Sequence, residues 1–145
     1  MGRPACLLLR CTLTLLCLVL LAGGIAFAQD PKASAAQATA RDWLELIDRG
    51  EAQASWDAAS KRFRDAMSLS AWADALKKNR VPRGTVLDRA AVKTSFEKSF
   101  PGVPDGEYAL VSFATRFANS LQGHETVTLE READGNWRVL GYFVR

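Results

Sequence analysis

Two acidic side chains stand at strand positions that otherwise carry apolar residues, and they are the groups best suited to chemistry. Asp88 shares its alternation with Val86 and Val92, and Glu125 shares its alternation with Val127. Because alternate residues of a strand point to the same side of a sheet, both carboxylates are predicted to face the interior. A carboxylate in an apolar pocket has a raised pKa and is suited to act as a general base.

Three aromatic side chains complete the set of candidate pocket residues. The hydroxyl of Tyr108 or Tyr142 is suited to donate a hydrogen bond to a developing oxyanion. Trp56 is one of four tryptophans that together would form an aromatic wall for a ligand. Each tryptophan also lies on an apolar stripe or at an inward strand position, which favours core packing.

Both carboxylates have a structural explanation as well. A bulge in the long first strand would turn Asp88 outward. Glu125 lies where a strand begins, and carboxylates there are commonly solvated or paired with an arginine such as Arg116. Structural ion pairs shift the pKa of a carboxylate as active sites do, and no catalytic motif accompanies Asp88 and Glu125. The sequence therefore favours a non-catalytic protein.

Residue counts exclude other chemistries. All three cysteines, Cys6, Cys11 and Cys17, lie in the first 28 residues. The chain beyond them has no thiol nucleophile, redox pair or zinc–thiolate site. His124 is the single histidine, so a histidine cluster cannot form within one chain, and nucleotide-binding glycine motifs are missing. We therefore expect no metal and no cofactor.

Positive charge is concentrated in one segment, which contains Lys77, Lys78, Arg80, Arg83 and Arg89. Such a segment would touch an anionic surface, although basic residues at a helix end also offset the helix dipole and remain in water. The net charge of +3 is too small for an electrostatic nucleic-acid binder, so no nucleic-acid partner is expected.

The first 28 residues have the three parts of a secretory signal peptide. A basic start precedes an apolar run over 11–21, and small residues ending at Ala28 predict cleavage before Gln29. An uncleaved anchor is the alternative, but the run at 11–21 is shorter than the roughly 20 apolar residues that span a bilayer. We expect a periplasmic or secreted protein with no stable membrane insertion after cleavage.

The remaining chain is predicted to form a flexible connector over 29–35 and one domain over 36–145. Helical periodicity of 3.6 residues predicts three helices, the second after Ser55 and the third after Ser70. Their apolar stripes cover 36–47, 56–67 and 72–76.

Beyond Gly84 the apolar residues alternate with a period of two, which predicts four strands. Turn residues separate the strands, most densely over 101–106. The predicted strands cover 85–100, 107–117, 124–132 and 137–144. Helices followed by an antiparallel meander predict an α+β domain, with the helices on one face of the sheet.

An ordered set of landmarks resembles the bacterial exported proteins grouped as domain of unknown function family 4019. The landmarks are Ser55-Trp56, Trp72, PGVPDGEY at 101–108, ETVTL at 125–129 and GNWRVLGYF at 135–143. The resemblance covers nearly all of the chain beyond the connector. It implies a cone-like curved sheet similar to the nuclear-transport-factor-two and cystatin-like folds, whose members commonly pair through their sheets, so a homodimer is one expectation.

The family has no established activity, so the resemblance contributes no catalytic residue. The sequence therefore favours a non-catalytic module of the bacterial envelope that binds a small molecule or an envelope protein. The alternative is a small enzyme of the ketosteroid-isomerase-like type, a relative of this fold, with Asp88 or Glu125 as general base.

Overall fold

The computed structural model describes residues 30–145. The predicted signal peptide, 1–28, and its cleavage site between Ala28 and Gln29 lie outside the described residues. Within 30–145, no helix combines the length and the apolar content needed to cross a membrane.

Helix α1 spans Pro31–Asp48 and begins earlier than the sequence predicts. The carboxylate of Asp30 accepts a hydrogen bond from the Lys32 N–H at 2.9 Å and so caps the helix. Pro31 suits the first turn because its missing N–H would have no partner there. Most of the predicted connector is therefore helical, while the apolar stripe of α1 is buried as predicted.

The predicted second helix is two short helices, α2 over Ala52–Asp57 and α3 over Lys61–Ala66. Ser60 separates them: its backbone N–H donates to the Val139 carbonyl at 2.8 Å, and its hydroxyl caps α3 by accepting from the Phe63 N–H. This tie to a distant strand ends α2 and fixes where α3 starts.

Helix α4 spans Leu69–Asn79 and is capped by Ser68 rather than following Ser70. Its buried face carries Trp72 and Leu76, as the stripe predicts. A single turn of 3-10 helix over Val81–Arg83 then leads into the sheet.

Four antiparallel strands follow in chain order: β1 Val86–Glu97, β2 Tyr108–Phe117, β3 Ser120–Arg131 and β4 Trp137–Val144. The core lies between the helices and one sheet face. It includes Trp43, Leu44, Phe63, Trp72, Val111, Phe113, Val127, Leu129 and Val139. The predicted fold class, α+β with helices preceding a four-stranded antiparallel sheet, is confirmed.

A bulge near the start of β1 reverses the predicted orientation of its side chains. Val86 pairs with Phe117 and Asp88 pairs with Arg116, so Leu87 is an extra residue in β1. An inserted residue shifts the alternation by one position. Asp88 is consequently exposed, and its predicted inward orientation is wrong.

A second bulge, at Val92 between Ala91 and Lys93, restores the original alternation. Between the two bulges, Arg89 and Ala91 face the helices, while Ala90 is exposed and Val92 is 60% exposed. The sequence prediction placed Val92 inside, together with Asp88. The pair of bulges therefore exchanges an inward carboxylate for an inward guanidinium.

Candidate functional site

Glu125 faces the interior, as predicted, and its side chain is 0% exposed. Its Oε2 accepts hydrogen bonds from Arg89 Nε at 2.7 Å and from the Thr115 hydroxyl at 2.6 Å. Its Oε1 accepts from the Tyr142 hydroxyl at 2.6 Å and from Arg89 Nη2 at 3.2 Å. A carboxylate has about four acceptor positions, so these four donors fill its capacity.

The same arginine continues the network to helix α1. Arg89 donates to the Asp48 carboxylate at 2.6 and 3.0 Å, and Arg80 donates to it at 2.9 Å. Arg80 also donates to the Gly84 carbonyl at 2.7 Å, and its guanidinium lies 4.6 Å from the centre of the Phe117 ring.

We call Asp48, Arg80, Arg89 and Glu125, with the hydroxyls of Thr115 and Tyr142, the buried ionic cluster. It joins the ends of α1 and α4 to all four strands.

Local irregularities in the strands position these groups. The Leu87 bulge turns Arg89 inward opposite Thr115. In β4, Thr128 pairs with Gly141 and Leu129 pairs with Val139, so Leu140 is an extra residue. This third bulge places Tyr142 on the inner face, where its ring contacts Trp43 and Trp72.

Gly123 permits the close approach of strands beside the cluster. A Cβ atom at this position would lie 2.5 Å from the Phe117 ring and 2.8 Å from the Thr115 carbonyl oxygen. Both distances are far below ordinary contact, so the absence of a side chain at Gly123 lets Phe117 pack beneath Arg80.

The cluster shifts the proton affinity of its members in the directions that its charges require. Burial alone would raise the pKa of Asp48, but hydrogen bonds and charges from Arg89 and Arg80 outweigh it and hold the pKa below its ordinary value. Burial, together with the neighbouring Glu125 charge, raises the pKa of Tyr142. Tyr142 therefore remains a neutral hydrogen-bond donor.

The two other predicted aromatic residues lie elsewhere and hold the backbone, and Asp88 is exposed on the opposite face of the sheet. The Tyr108 hydroxyl donates to the Pro104 carbonyl at 2.6 Å, and its ring packs against Phe100. The indole N–H of Trp56 donates to the Met67 carbonyl at 2.7 Å. Of the five predicted pocket residues, only Glu125 and Tyr142 are brought into contact.

The predicted concentration of positive charge is dispersed by folding. Arg80 and Arg89 belong to the buried ionic cluster, whereas Lys77 and Lys78 are exposed. Arg83 lies near the β2–β3 turn, donating to the Asn79 carbonyl and, at 3.4 Å, to the Ser120 hydroxyl. His124 is exposed on the outer face of the sheet.

An open groove of about 450 Å³ lies beside Tyr142, between α3, the start of α4 and β4, and we call it the α3–β4 groove. Its walls are aromatic, aliphatic or glycine except for one cation. The lining residues are Arg62, Phe63, Ala66, Met67, Trp72, Gly102, Val103, Leu140, Gly141 and Tyr142. Gly102 and Val103 belong to the dense turn at 101–106, but no sequence pattern pointed to Arg62.

No group of three or more histidine, cysteine, aspartate or glutamate side chains within 30–145 is arranged to hold a metal ion.

Comparison with known proteins gives a family and a structural likeness. The family described as "Protein of unknown function (DUF4019)" matches residues 39–142. The crystal structure of a ketosteroid isomerase-like protein from Erwinia carotovora atroseptica SCRI1043 is similar, with 17% identity and a TM-score of 0.49 over 80% of this chain and 96% of that chain. No curated protein matches the chain.

Proposed function

We propose a binding function for this chain, which belongs to the DUF4019 family of proteins of unknown function. In this proposal it is a non-catalytic module that holds a small, largely apolar molecule in the α3–β4 groove. The observation that carries the proposal is that Glu125 is buried and already accepts four hydrogen bonds. A carboxylate with four donors and no exposure has no acceptor position left for a substrate proton.

General-base catalysis, the alternative predicted from sequence, therefore lacks a free carboxylate at the site where it was expected. Asp88 is exposed and lies on the face of the sheet opposite Glu125. A base must reach the proton that it abstracts, directly or through one water. Glu125 has no free acceptor position, and Asp88 does not share a pocket with it, so neither carboxylate meets this requirement.

The α3–β4 groove, by contrast, has the character of a ligand site. Its volume of about 450 Å³ falls within the range of about 300–1,000 Å³ typical of small-molecule pockets. Trp72 and Tyr142 provide aromatic surface, and Met67 provides an adaptable apolar side chain. The floor is rigid because Trp72 and Tyr142 pack on each other and on Trp43.

Binding of the neutral fluorescent probe N-phenyl-1-naphthylamine tests the proposal. We expect the wild-type protein to bind it and Ala66→Phe to abolish binding, because the new ring would fill the groove. Ala58→Phe is the matched control, since Ala58 is exposed and lines a different depression, beside Trp43. Absence of binding to the wild type, or equal binding by both variants, would overturn the proposal.

We further propose that the protein is exported through its first 28 residues, as their composition predicts. Intact mass measurement of the protein from the periplasmic fraction of a bacterial host checks this. A mature chain beginning at Gln29 is the expected result, and a full-length chain retained in the membrane fraction would contradict it.

A further inference from the structure

We infer that the ligand of the α3–β4 groove is a monocarboxylate with an apolar tail, its carboxylate bound by Arg62. This inference rests on the proposed function, because it specifies what the groove holds. Arg62 is the one ionised residue among the groove's lining residues. Every other lining group is apolar or a neutral aromatic, so the groove offers a long apolar surface and a single cationic end.

The guanidinium of Arg62 is held in place but not saturated. Its Nε donates to Glu130 Oε2 at 3.1 Å, and the Glu130 side chain is only 10% exposed while that of Arg62 is 44% exposed. The two terminal amino groups of Arg62 donate to no protein acceptor in the described part of the chain. Those two parallel donors match the two oxygens of a carboxylate.

Charges around Arg62 orient the ligand. Arg62 also lines a second cavity of about 480 Å³, whose lining carries five carboxylates against three cations, Lys61, Arg62 and Arg131. These carboxylates disfavour an anion in that cavity. A carboxylate held by Arg62 therefore lies at the end of the groove, with its tail against Trp72 and Tyr142.

Glu130 balances the formal charge of Arg62, so recognition depends on directed hydrogen bonds more than on net charge. A carboxylate should consequently be preferred over an alcohol of the same chain length, because the alcohol cannot accept from both amino groups with two oxygens. Arg62→Lys should weaken that preference, since an ammonium group cannot present the planar pair of donors.

The test compares decanoate with 1-decanol, each below its aggregation concentration, as competitors of N-phenyl-1-naphthylamine. We expect wild-type protein to bind decanoate about tenfold more tightly than 1-decanol, a ratio typical of one charge-assisted contact. Arg62→Met should remove the preference and retain 1-decanol binding, which also shows that the variant is folded.

Lys61→Met is the matched control. Lys61 precedes Arg62 in α3, pairs with Asp65 at 2.6 Å and does not line the groove. Lys61→Met removes one positive charge from the same helix, as Arg62→Met does, and should leave the decanoate preference intact.

The outcomes separate the two proposals. Equal wild-type affinities for decanoate and 1-decanol, or a preference that survives Arg62→Met or disappears in Lys61→Met, would overturn the carboxylate assignment alone. If the wild type binds none of the three compounds (decanoate, 1-decanol and the naphthylamine probe), the binding function is overturned, and the carboxylate assignment with it.

Discussion

Strand β3 carries two glutamates that each pair with an arginine, and the two pairs have opposite surroundings. Glu125 and Arg89 are 0% and 10% exposed and share two hydrogen bonds, supplemented by two hydroxyl donors. Glu130 and Arg62 share one hydrogen bond, with the arginine 44% exposed. The same pair of residue types therefore gives a carboxylate with all four acceptor positions filled in one place and an arginine with unused donors in the other.

This difference separates the structural role of one pair from the recognition role that we propose for the other. A buried ion pair is tolerated when its donors and acceptors are satisfied, and removal of one partner leaves the charge of the other without compensation in the interior. A partly exposed arginine anchored by one atom keeps donors for another molecule. Tyr142 belongs to both regions, because its hydroxyl donates to Glu125 while its ring lines the α3–β4 groove.

Two matched substitutions on β3 should differ most strongly in their effect on stability. Glu125→Gln should lower the free energy of unfolding by about 3 kcal/mol, because the amide NH2 would face donors of the cluster and Arg89 would keep Asp48 as its one counter-charge. Glu130→Gln should cost about 1 kcal/mol or less, since its partner is half-exposed. Urea unfolding followed by circular dichroism measures both, and equal losses would remove the distinction between the two pairs.

A smaller effect is expected from adding a methyl group at each end of the molecule. Gly123→Ala should destabilise the protein by about 1–3 kcal/mol, because the new Cβ would overlap the Phe117 ring beside the buried ionic cluster. Gly106→Ala, in the turn before β2, would have only ordinary contacts with Tyr108 at 3.4 Å and should change the unfolding midpoint little. Thermal unfolding gives the midpoints of both variants. A Gly123→Ala protein with the wild-type midpoint would contradict the close packing of Phe117 against Gly123.

The smallest effect, and the one that links the two regions, is expected from Tyr142→Phe. At neutral pH this change should cost about 1 kcal/mol, because it removes one of four hydrogen bonds to Glu125 and leaves three donors on the carboxylate. Probe binding in the groove should persist, because the ring remains. Loss of probe binding would show that the two regions are not separable.

The same variant should show a characteristic alkaline dependence. The pKa of Tyr142 in the folded protein is raised above its ordinary value of 10.0, so the unfolded chain releases this proton first as the pH rises. The stability contributed by the phenol is therefore present below pH 10 and is lost progressively above it. The stability difference between wild type and Tyr142→Phe should shrink by about 1 kcal/mol near pH 11, and a constant difference would contradict the burial of the phenol.

Much of the architecture could be predicted from periodicity because it depends on short-range patterns. The helical stripe from Ala36 to Ile47 and the alternation in β2 both mark faces that must leave water, and both are buried. Glu125 could be placed inside for the same reason. Capping was harder to predict: several serines are close together near α2 to α4, and tertiary contacts decide which of them caps a helix.

The composition of the site could not be predicted, because it depends on register. Asp88 and Arg89 are neighbours, and one extra residue at Leu87 decides which of them faces the core. The sequence suggested Arg116 as the partner of Glu125. In the structure Arg116 is exposed and lies opposite Asp88 in the register of β1 and β2. The bulge at Leu87 turns Arg89 toward Glu125 and so lowers the free-energy cost of burying that carboxylate. This pairing exists only once the strands are hydrogen-bonded to each other.

Local spacing of apolar residues was enough to predict the order of helices and strands, the faces that α1, α4 and β2 bury, and the inward carboxylate of Glu125. Tertiary structure alone decided that this carboxylate is saturated and that Arg62 keeps two donors beside an apolar groove. Bulges and inter-element packing set those distances, and a chain position carries no record of which distant donor will reach it.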